Sequence, residues 1–272
     1  MNLPAKGWFF YVCSVFLGAL VLQNAHAEIT VIGGLTREKV VAGGQTYEGI
    51  IQLRNSGDTP IEAKIYQTDY TFSADGKNLF GKPGELKRSN AKWIKLSHNF
   101  RVIPPKETVA LNYTITVPGE GDNVGTFWSM VMVESAGKPP EVEKEKDKVA
   151  IGIKHVMRYG VQMVTHLGDQ GKVKVKVLKK TVVDLEEGKK GLRVDISNTG
   201  ERWVRPEVWV ELYDTEGEEA GKFPGRQKRI FPGTSIRQII DISALKPGKY
   251  QGIVVIDNKD DNVFGSRVKF EL

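Results

Sequence analysis

Cysteine is nearly absent. The 272-residue sequence holds one, Cys13, inside an apolar run at residues 8–22 that follows Lys6. A charged start, an apolar run short for a bilayer span, and the small-residue pattern Ala25-His26-Ala27 form the layout of a cleaved export signal. The expectation is a signal peptide over residues 1–27, cut after Ala27, and a periplasmic product. Cleavage removes the only cysteine, so the exported chain has no disulfide and must be held by cores large enough to do without one. Val12 precedes Cys13 where a lipoprotein site needs a small residue, and no second apolar stretch of membrane length follows. No membrane anchor is expected.

Catalytic signatures are also missing. Of the four histidines, His26 belongs to the export signal, leaving His98, His155 and His166, with no thiol to join them. His155 and His166 stand at odd and even positions of one strand pattern, so they point to opposite faces and do not share a metal. There is no H-E-x-x-H, no G-x-S-x-G and no Walker-type loop. Gly119-Glu120-Gly121 is read as a turn, and residues 257–262 as a hairpin turn that lacks the glycine and distal glutamate of a calcium loop. The sequence predicts no catalytic residue, no metal and no cofactor: a binding protein, not an enzyme. A formal charge of +6 with acids interleaved among the lysines carries no basic, aromatic stripe, so nucleic acid is not an expected partner.

Helix signals are scarce as well, and short runs rich in Val, Ile, Thr and aromatics take their place. Turn groups such as Asn55-Ser56-Gly57-Asp58, Asp75-Gly76, Asn198-Thr199-Gly200 and Glu216-Gly217 separate them, the spacing of an all-β sandwich. Val109, Leu111, Tyr113, Ile115 and Val117 alternate with small polar residues, a one-sided strand. Residues 127–133 are apolar on both faces except at Ser129, as in a central strand. A Gly-rich link at residues 167–171 separates two strand sets, giving an expected first domain over 28–168 and a second over 169–272. The halves echo one another: Ile51-Gln52-Leu53-Arg54-Asn55-Ser56-Gly57 is similar to Val194-Asp195-Ile196-Ser197-Asn198-Thr199-Gly200. The fold class is therefore all-β, two tandem immunoglobulin-like β-sandwiches. Trp93, Trp128, Trp203 and Trp209 are read as core rings, with Trp203 set apart by its polar neighbours. The basic residues Lys222, Arg226, Lys228 and Arg229 are read as solvated.

The strongest single pattern is the alternation of Val149, Ile151, Ile153, Met157, Tyr159, Val161 and Met163, entered from a proline- and charge-rich loop at residues 135–148. Strands average about 5–6 residues, and this pattern runs about three times as long. One small domain has difficulty burying all of it. Tyr159, Val161, Met163 and Leu167 are assigned to the first domain's own core, and Val149, Ile151, Ile153 and Met157 to a portion offered outward, where a partner's sheet edge would pair with it.

These residues resemble the PapD-like periplasmic chaperones, two-domain proteins that hold pilus or fimbrial subunits by donating a strand. Thr36-Arg37-Glu38-Lys39-Val40 and the strand ending in Asn55, with Pro60 beyond it, are similar to that family's opening. Asn99-Phe100-Arg101-Val102-Ile103-Pro104 is similar to its central stretch, and Thr126-Phe127-Trp128-Ser129 to its "l-F-W-l-n" strand. The resemblance implies a secreted, pilin-like subunit as partner and an outer-membrane usher; an exposed apolar edge would in itself promote self-association when no client is present. It also implies two cations that grip the client's C-terminal carboxylate: Arg37, and Arg158 by spacing from Ile153. A second resemblance, to cell-surface proteins with two such domains that adhere to a protein or peptidoglycan, keeps a structural or adhesive role open.

Overall fold

The computed structural model describes residues 29–119, 123–136 and 156–272. In chain order the first ten strands are β1 (Ile29–Ile32), β2 (Thr36–Val41), β3 (Thr46–Asn55), β4 (Ile61–Phe72), β5 (Asn78–Gly81), β6 (Ile94–Leu96), β7 (Phe100–Ile103), β8 (Thr108–Thr116), β9 (Gly125–Ser135) and β10 (Arg158–Leu167). They form two sheets, β1-β3-β8-β6 and β2-β10-β9-β4-β5, with β7 also on β4. Alternation sets the packing: Ile51 and Leu53 of β3, Leu111 and Ile115 of β8, Val131 and Val133 of β9, and Val161 and Met163 of β10 meet in one core. The central-strand reading of β9 holds, with β10 on one side and β4 on the other.

The chain changes sheets near its start. β1 pairs antiparallel with β3, whereas β2 pairs parallel with β10 in the facing sheet. Gly33, at φ +82°, makes the crossing in a left-handed conformation that a side chain would resist.

Seven further strands build a second sandwich: β11 (Val175–Asp184), β12 (Lys190–Asn198), β13 (Glu207–Tyr213), β14 (Glu219–Pro224), β15 (Ser235–Asp241), β16 (Lys249–Asp257) and β17 (Val263–Glu271). Its sheets are β11-β12-β15 and β14-β13-β16-β17, closed on Leu192, Val194, Ile196, Val210, Leu212, Ile240, Val254 and Ile256. No α-helix is present among the described residues, only two 3₁₀ turns, Ala91–Trp93 and Glu186–Gly188. The fold is all-β with two immunoglobulin-like sandwiches.

The echo between the halves is a duplicated hydrogen-bond motif. Asn55, fully buried, donates from Nδ2 to the carbonyls of Thr59 (2.7 Å) and Ile103 (3.0 Å) and accepts the Gly57 N–H (2.8 Å). Asn198, equally buried, donates to Arg202 (2.7 Å) and Ile230 (2.9 Å) and accepts the Gly200 N–H (2.9 Å). The partner loops match too. Three residues after the accepting isoleucine stands a left-handed residue, Lys106 (φ 60°) in one half and Gly233 (φ 77°) in the other. The carbonyl of the next residue, Glu107 or Thr234, accepts the asparagine's own N–H. One side chain thus closes a turn and ties it to the neighbouring loop, satisfying groups that burial would otherwise penalise.

The joint between the sandwiches is packed and polar at once. Trp128 of β9 stacks on Phe231 at 4.8 Å, with Val164 of β10 buried beside them. The Thr126 N–H donates to the Glu201 carbonyl (2.8 Å), and the Ala74 N–H donates to Ser235 Oγ (2.9 Å). Trp128 and Trp203, expected in sandwich interiors, both lie at this joint. Arg229, expected in solvent, reaches Glu38 of β2 at 2.9 Å and lies 4.3 Å over the Trp203 ring. An ion pair and an aromatic face recruit it, features that a linear reading of the basic loop does not contain.

Candidate functional site: the open edge of β10

β10 is a strand with unequal edges. On one side β9 pairs with it along its whole length, from Arg158↔Glu134 to Leu167↔Gly125. On the other side β2 pairs only from Gln162 onward, from Gln162↔Thr36 to Leu167↔Val41. The Gln162 N–H donates to the Leu35 carbonyl at 2.8 Å. Strand alternation turns the peptide groups of Gly160 and Arg158 to that same side, where no strand among the described residues pairs with them. The β9 side continues outward, since the Ser135 N–H donates to the Met157 carbonyl at 3.2 Å.

Side chains divide by parity. Val161 and Met163 are fully buried, and Tyr159 packs against the same core, so the odd positions of β10 serve the sandwich that contains it. Just before the strand, Val156 (41% exposed) and Met157 (48%) face solvent. Of the expected donating residues, Met157 is therefore exposed beside the open edge, and Val149, Ile151 and Ile153 lie outside the described residues.

The structure does not bring the two expected carboxylate-gripping cations together. Arg37 is the register partner of Met163, five positions along β10 from Arg158, which at about 3.3 Å per residue puts them about 16 Å apart. They also face opposite ways: Arg37 shares the parity of the core residue Met163, whereas Arg158 is on the outer face. There Arg158 pairs with Glu134, Nε and Nη2 each 3.1 Å from Oε2. Spacing from Ile153 set the position of Arg158 without any knowledge of strand register, which decides both distance and face.

Arg37 caps the sheet crossing. Its guanidinium donates to the carbonyls of Gly34, Thr36 and Ile32, and no acidic side chain among the described residues pairs with it. Lys39, two residues on and on the same face of β2, lies over the Tyr47 ring at 5.1 Å and likewise has no carboxylate partner among the described residues. The linear reading missed Lys39; its alternation with Arg37 on one strand was the available signal. The Tyr47 hydroxyl bonds Thr165 Oγ1 at 2.9 Å, and burial raises its pKa. Arg37 and Lys39 thus place two positive charges at the margin of the sandwich, neither paired with a carboxylate among the described residues.

Nothing in this arrangement makes a metal centre: among the described residues no group of three His, Cys, Asp or Glu side chains is placed to hold an ion. No helix among them is long and apolar enough to cross a membrane.

No known family model matches the sequence, and no curated protein matches it. Solved structures do. A chaperone–tip adhesin complex of CFA/I fimbriae is 10% identical, with a TM-score of 0.47 over 90% of this chain and 98% of that one. The class 5 fimbrial chaperone CfaA is 8% identical, with a TM-score of 0.46 over 88% and 98%. The CsuC–CsuE chaperone–tip subunit complex of Acinetobacter baumannii is 13% identical, with a TM-score of 0.43 over 89% and 98%.

Proposed function

We propose that this protein is an exported chaperone that holds a secreted, pilin-like subunit by adding a strand to the subunit's sheet. The observation that carries the reading is the open edge of β10. Arg158 and Gly160 turn main-chain donors and acceptors to a side where no strand among the described residues pairs with them, directly after the exposed Val156 and Met157. An open, apolar edge is a hazard that proteins ordinarily cover or charge, and a use for pairing explains its retention. Main-chain hydrogen bonds supply affinity, and the alternate side chains Val149, Ile151, Ile153 and Met157 supply selection. Burying each in the client gains about 1.5–3 kcal/mol before ordering costs. An usher that receives the loaded subunit belongs to the same proposal.

For the client's carboxylate terminus we assign Arg37 with Lys39 in place of Arg37 with Arg158. The two side chains share a face of β2 and meet no carboxylate among the described residues, and an arginine fork with a second cation suits a carboxylate.

Co-expression with an exported pilin-like subunit tests the proposal. Ile151→Asp combined with Ile153→Asp is expected to abolish co-purification while the melting temperature stays unchanged. Capture that survives the double substitution refutes donation by these residues, and a protein that unfolds because of it places them in the interior. Arg37→Ala is expected to weaken binding of the subunit's C-terminal peptide, and unchanged affinity discards the carboxylate assignment.

A further inference from the structure

His166, near the end of β10, is 7% exposed and lies where the two sandwiches meet. Its Nε2 is 2.9 Å from Glu38 Oε1 on β2, and its Nδ1 is 3.0 Å from Thr126 Oγ1 on β9. Both contacts run on into the second sandwich. Glu38 Oε2 holds Arg229 at 2.9 Å, Thr126 Oγ1 accepts the Trp203 N–H at 3.0 Å, and the Trp203 ring lies 5.8 Å from the imidazole. Two routes across the joint therefore pass through one imidazole.

We propose that His166 makes the joint between the sandwiches responsive to protons: a neutral ring holds the two in one arrangement, and protonation releases them.

The hydrogen-bond directions carry the argument. With Nε2–H donating to Glu38, a neutral ring leaves Nδ1 as an acceptor for the Thr126 hydroxyl, whose oxygen accepts the Trp203 N–H. The chain from Trp203 through Thr126 to His166 is then fully satisfied. A proton on Nδ1 turns that acceptor into a donor, so the threonine hydroxyl hydrogen must find another acceptor in a buried place. The charges around the ring set the balance. β2 contributes Glu38, with Val40 opposite His166 in register, and β9 contributes only the uncharged Thr126. The second sandwich contributes Arg229 and Arg202, and beside them Glu201, whose carboxylate is occupied by Arg88 at 3.7 Å and by the Lys172 N–H. Burial lowers the imidazole pKa most; Glu38 opposes it, and Arg229 and Arg202 add to the lowering. A lowered folded pKa means the joint is held fully above about pH 6.5, the ordinary imidazole value. It weakens as pH falls from there towards the folded value, the ratio of released to held protein rising about tenfold per pH unit in that window.

Because the exported chain carries no cysteine, paired spin labels can report the joint. Cysteines replace the exposed Ile50 on β3 and Leu178 on β11, in protein freed of Cys13. Distances are read by pulsed electron resonance from about pH 7.5 to about pH 5. One narrow distance is expected at the upper end, with a second population growing about tenfold per unit below about pH 6.5. His166→Gln, which offers an acceptor and a donor but does not titrate, is expected to keep the narrow distance throughout. A distribution unchanged down to about pH 5 overturns the proposal, as does a His166→Gln protein that responds like the parent. If His166→Gln does not fold, proton resonances of the imidazole in the unsubstituted protein decide: titration at or above about pH 6.5 overturns it, and titration below supports it. None of these readings involves a client, so they stand or fall apart from the chaperone proposal.

Discussion

Asn198→Ala is expected to be among the most damaging single polar substitutions in the second sandwich. The side chain is fully buried and makes three hydrogen bonds, at 2.7, 2.9 and 2.9 Å. Alanine leaves the carbonyls of Arg202 and Ile230 and the N–H of Gly200 without this partner. At about 1–1.5 kcal/mol each, with a small cavity term, the loss is about 3–5 kcal/mol. For a sandwich of this size about 1 kcal/mol lowers the melting temperature by about 4–8 °C, so a drop of more than about 12 °C is expected. Asn55→Ala is expected to cost the first sandwich the same within about 1 kcal/mol, because its three bonds, at 2.7, 3.0 and 2.8 Å, repeat the pattern. Asn198→Asp keeps the acceptor for Gly200 but loses both donors and sets a carboxylate against two carbonyls, so it is expected to be no milder than alanine. Scanning calorimetry and urea titration of the purified variants supply the measurement. A loss below about 1 kcal/mol for either alanine variant refutes the view that this side chain holds the turn and the neighbouring loop together.

Glycine substitutions separate strain from collision. A Cβ on Gly252 would sit 1.9 Å from the Glu211 carbonyl oxygen, so Gly252→Ala must part β13 from β16 and is expected to cost more than about 3 kcal/mol by urea titration. Gly233→Ala meets nothing within 4 Å and pays only for its φ of 77°, an expected loss of about 1 kcal/mol. Gly125, at φ 83° with a would-be Cβ 2.1 Å from the Glu201 carbonyl oxygen, binds the two sandwiches closely; Gly125→Ala is expected to widen interdomain label distances even at neutral pH. Tyr47→Phe removes the 2.9 Å bond to Thr165, which retains Asn90 as a donor at 3.0 Å, so a loss of only about 0.5–1.5 kcal/mol is expected in the same titration.

Much of this architecture was legible because period two is a local property. The alternation in β8 and the two-sided apolar run of β9 reported which faces are covered, and the Asn-centred turns reported where strands end. Even the duplication showed itself, since a motif built on one side chain must repeat that side chain. What the linear pattern could not contain is register. Spacing from Ile153 points to Arg158, but the partner of Arg37 is fixed by where β2 begins to pair with β10, at Thr36↔Gln162. Nor could it contain the joint. Arg229 looks solvated among Lys222, Arg226 and Lys228, and only contact with Glu38 and Trp203 distinguishes it. β14, with Gly221 and Pro224, likewise lacks the apolar alternation of a strand and is held by its register with β13.

β10 ties these features together because it serves a different neighbour at each position. Of its odd residues, Tyr159, Val161, Met163 and Leu167 serve the first core, and Thr165 bonds Tyr47 and Asn90. Its even residues change task along the strand: no strand among the described residues pairs with the outer side of Arg158 and Gly160, Gln162 meets β2, and Val164 and His166 enter the joint. β9 fixes the register of β10 along its whole length, since shifting it would drag Val161 and Met163 out of the core. The joint and the open edge therefore lie on one strand held in fixed register but share no hydrogen-bonding group. Protonation at His166 alters how the second sandwich sits beside the edge, while the hydrogen-bonding groups that Arg158 and Gly160 present stay the same. A client that touches only the first sandwich is expected to be held equally at neutral and mildly acidic pH, and one that bridges both is expected to be released as the pH falls. Comparing the pH dependence of binding for the subunit's isolated strand-accepting domain and for the intact subunit reads that difference; identical profiles would mean that the client does not reach the second sandwich.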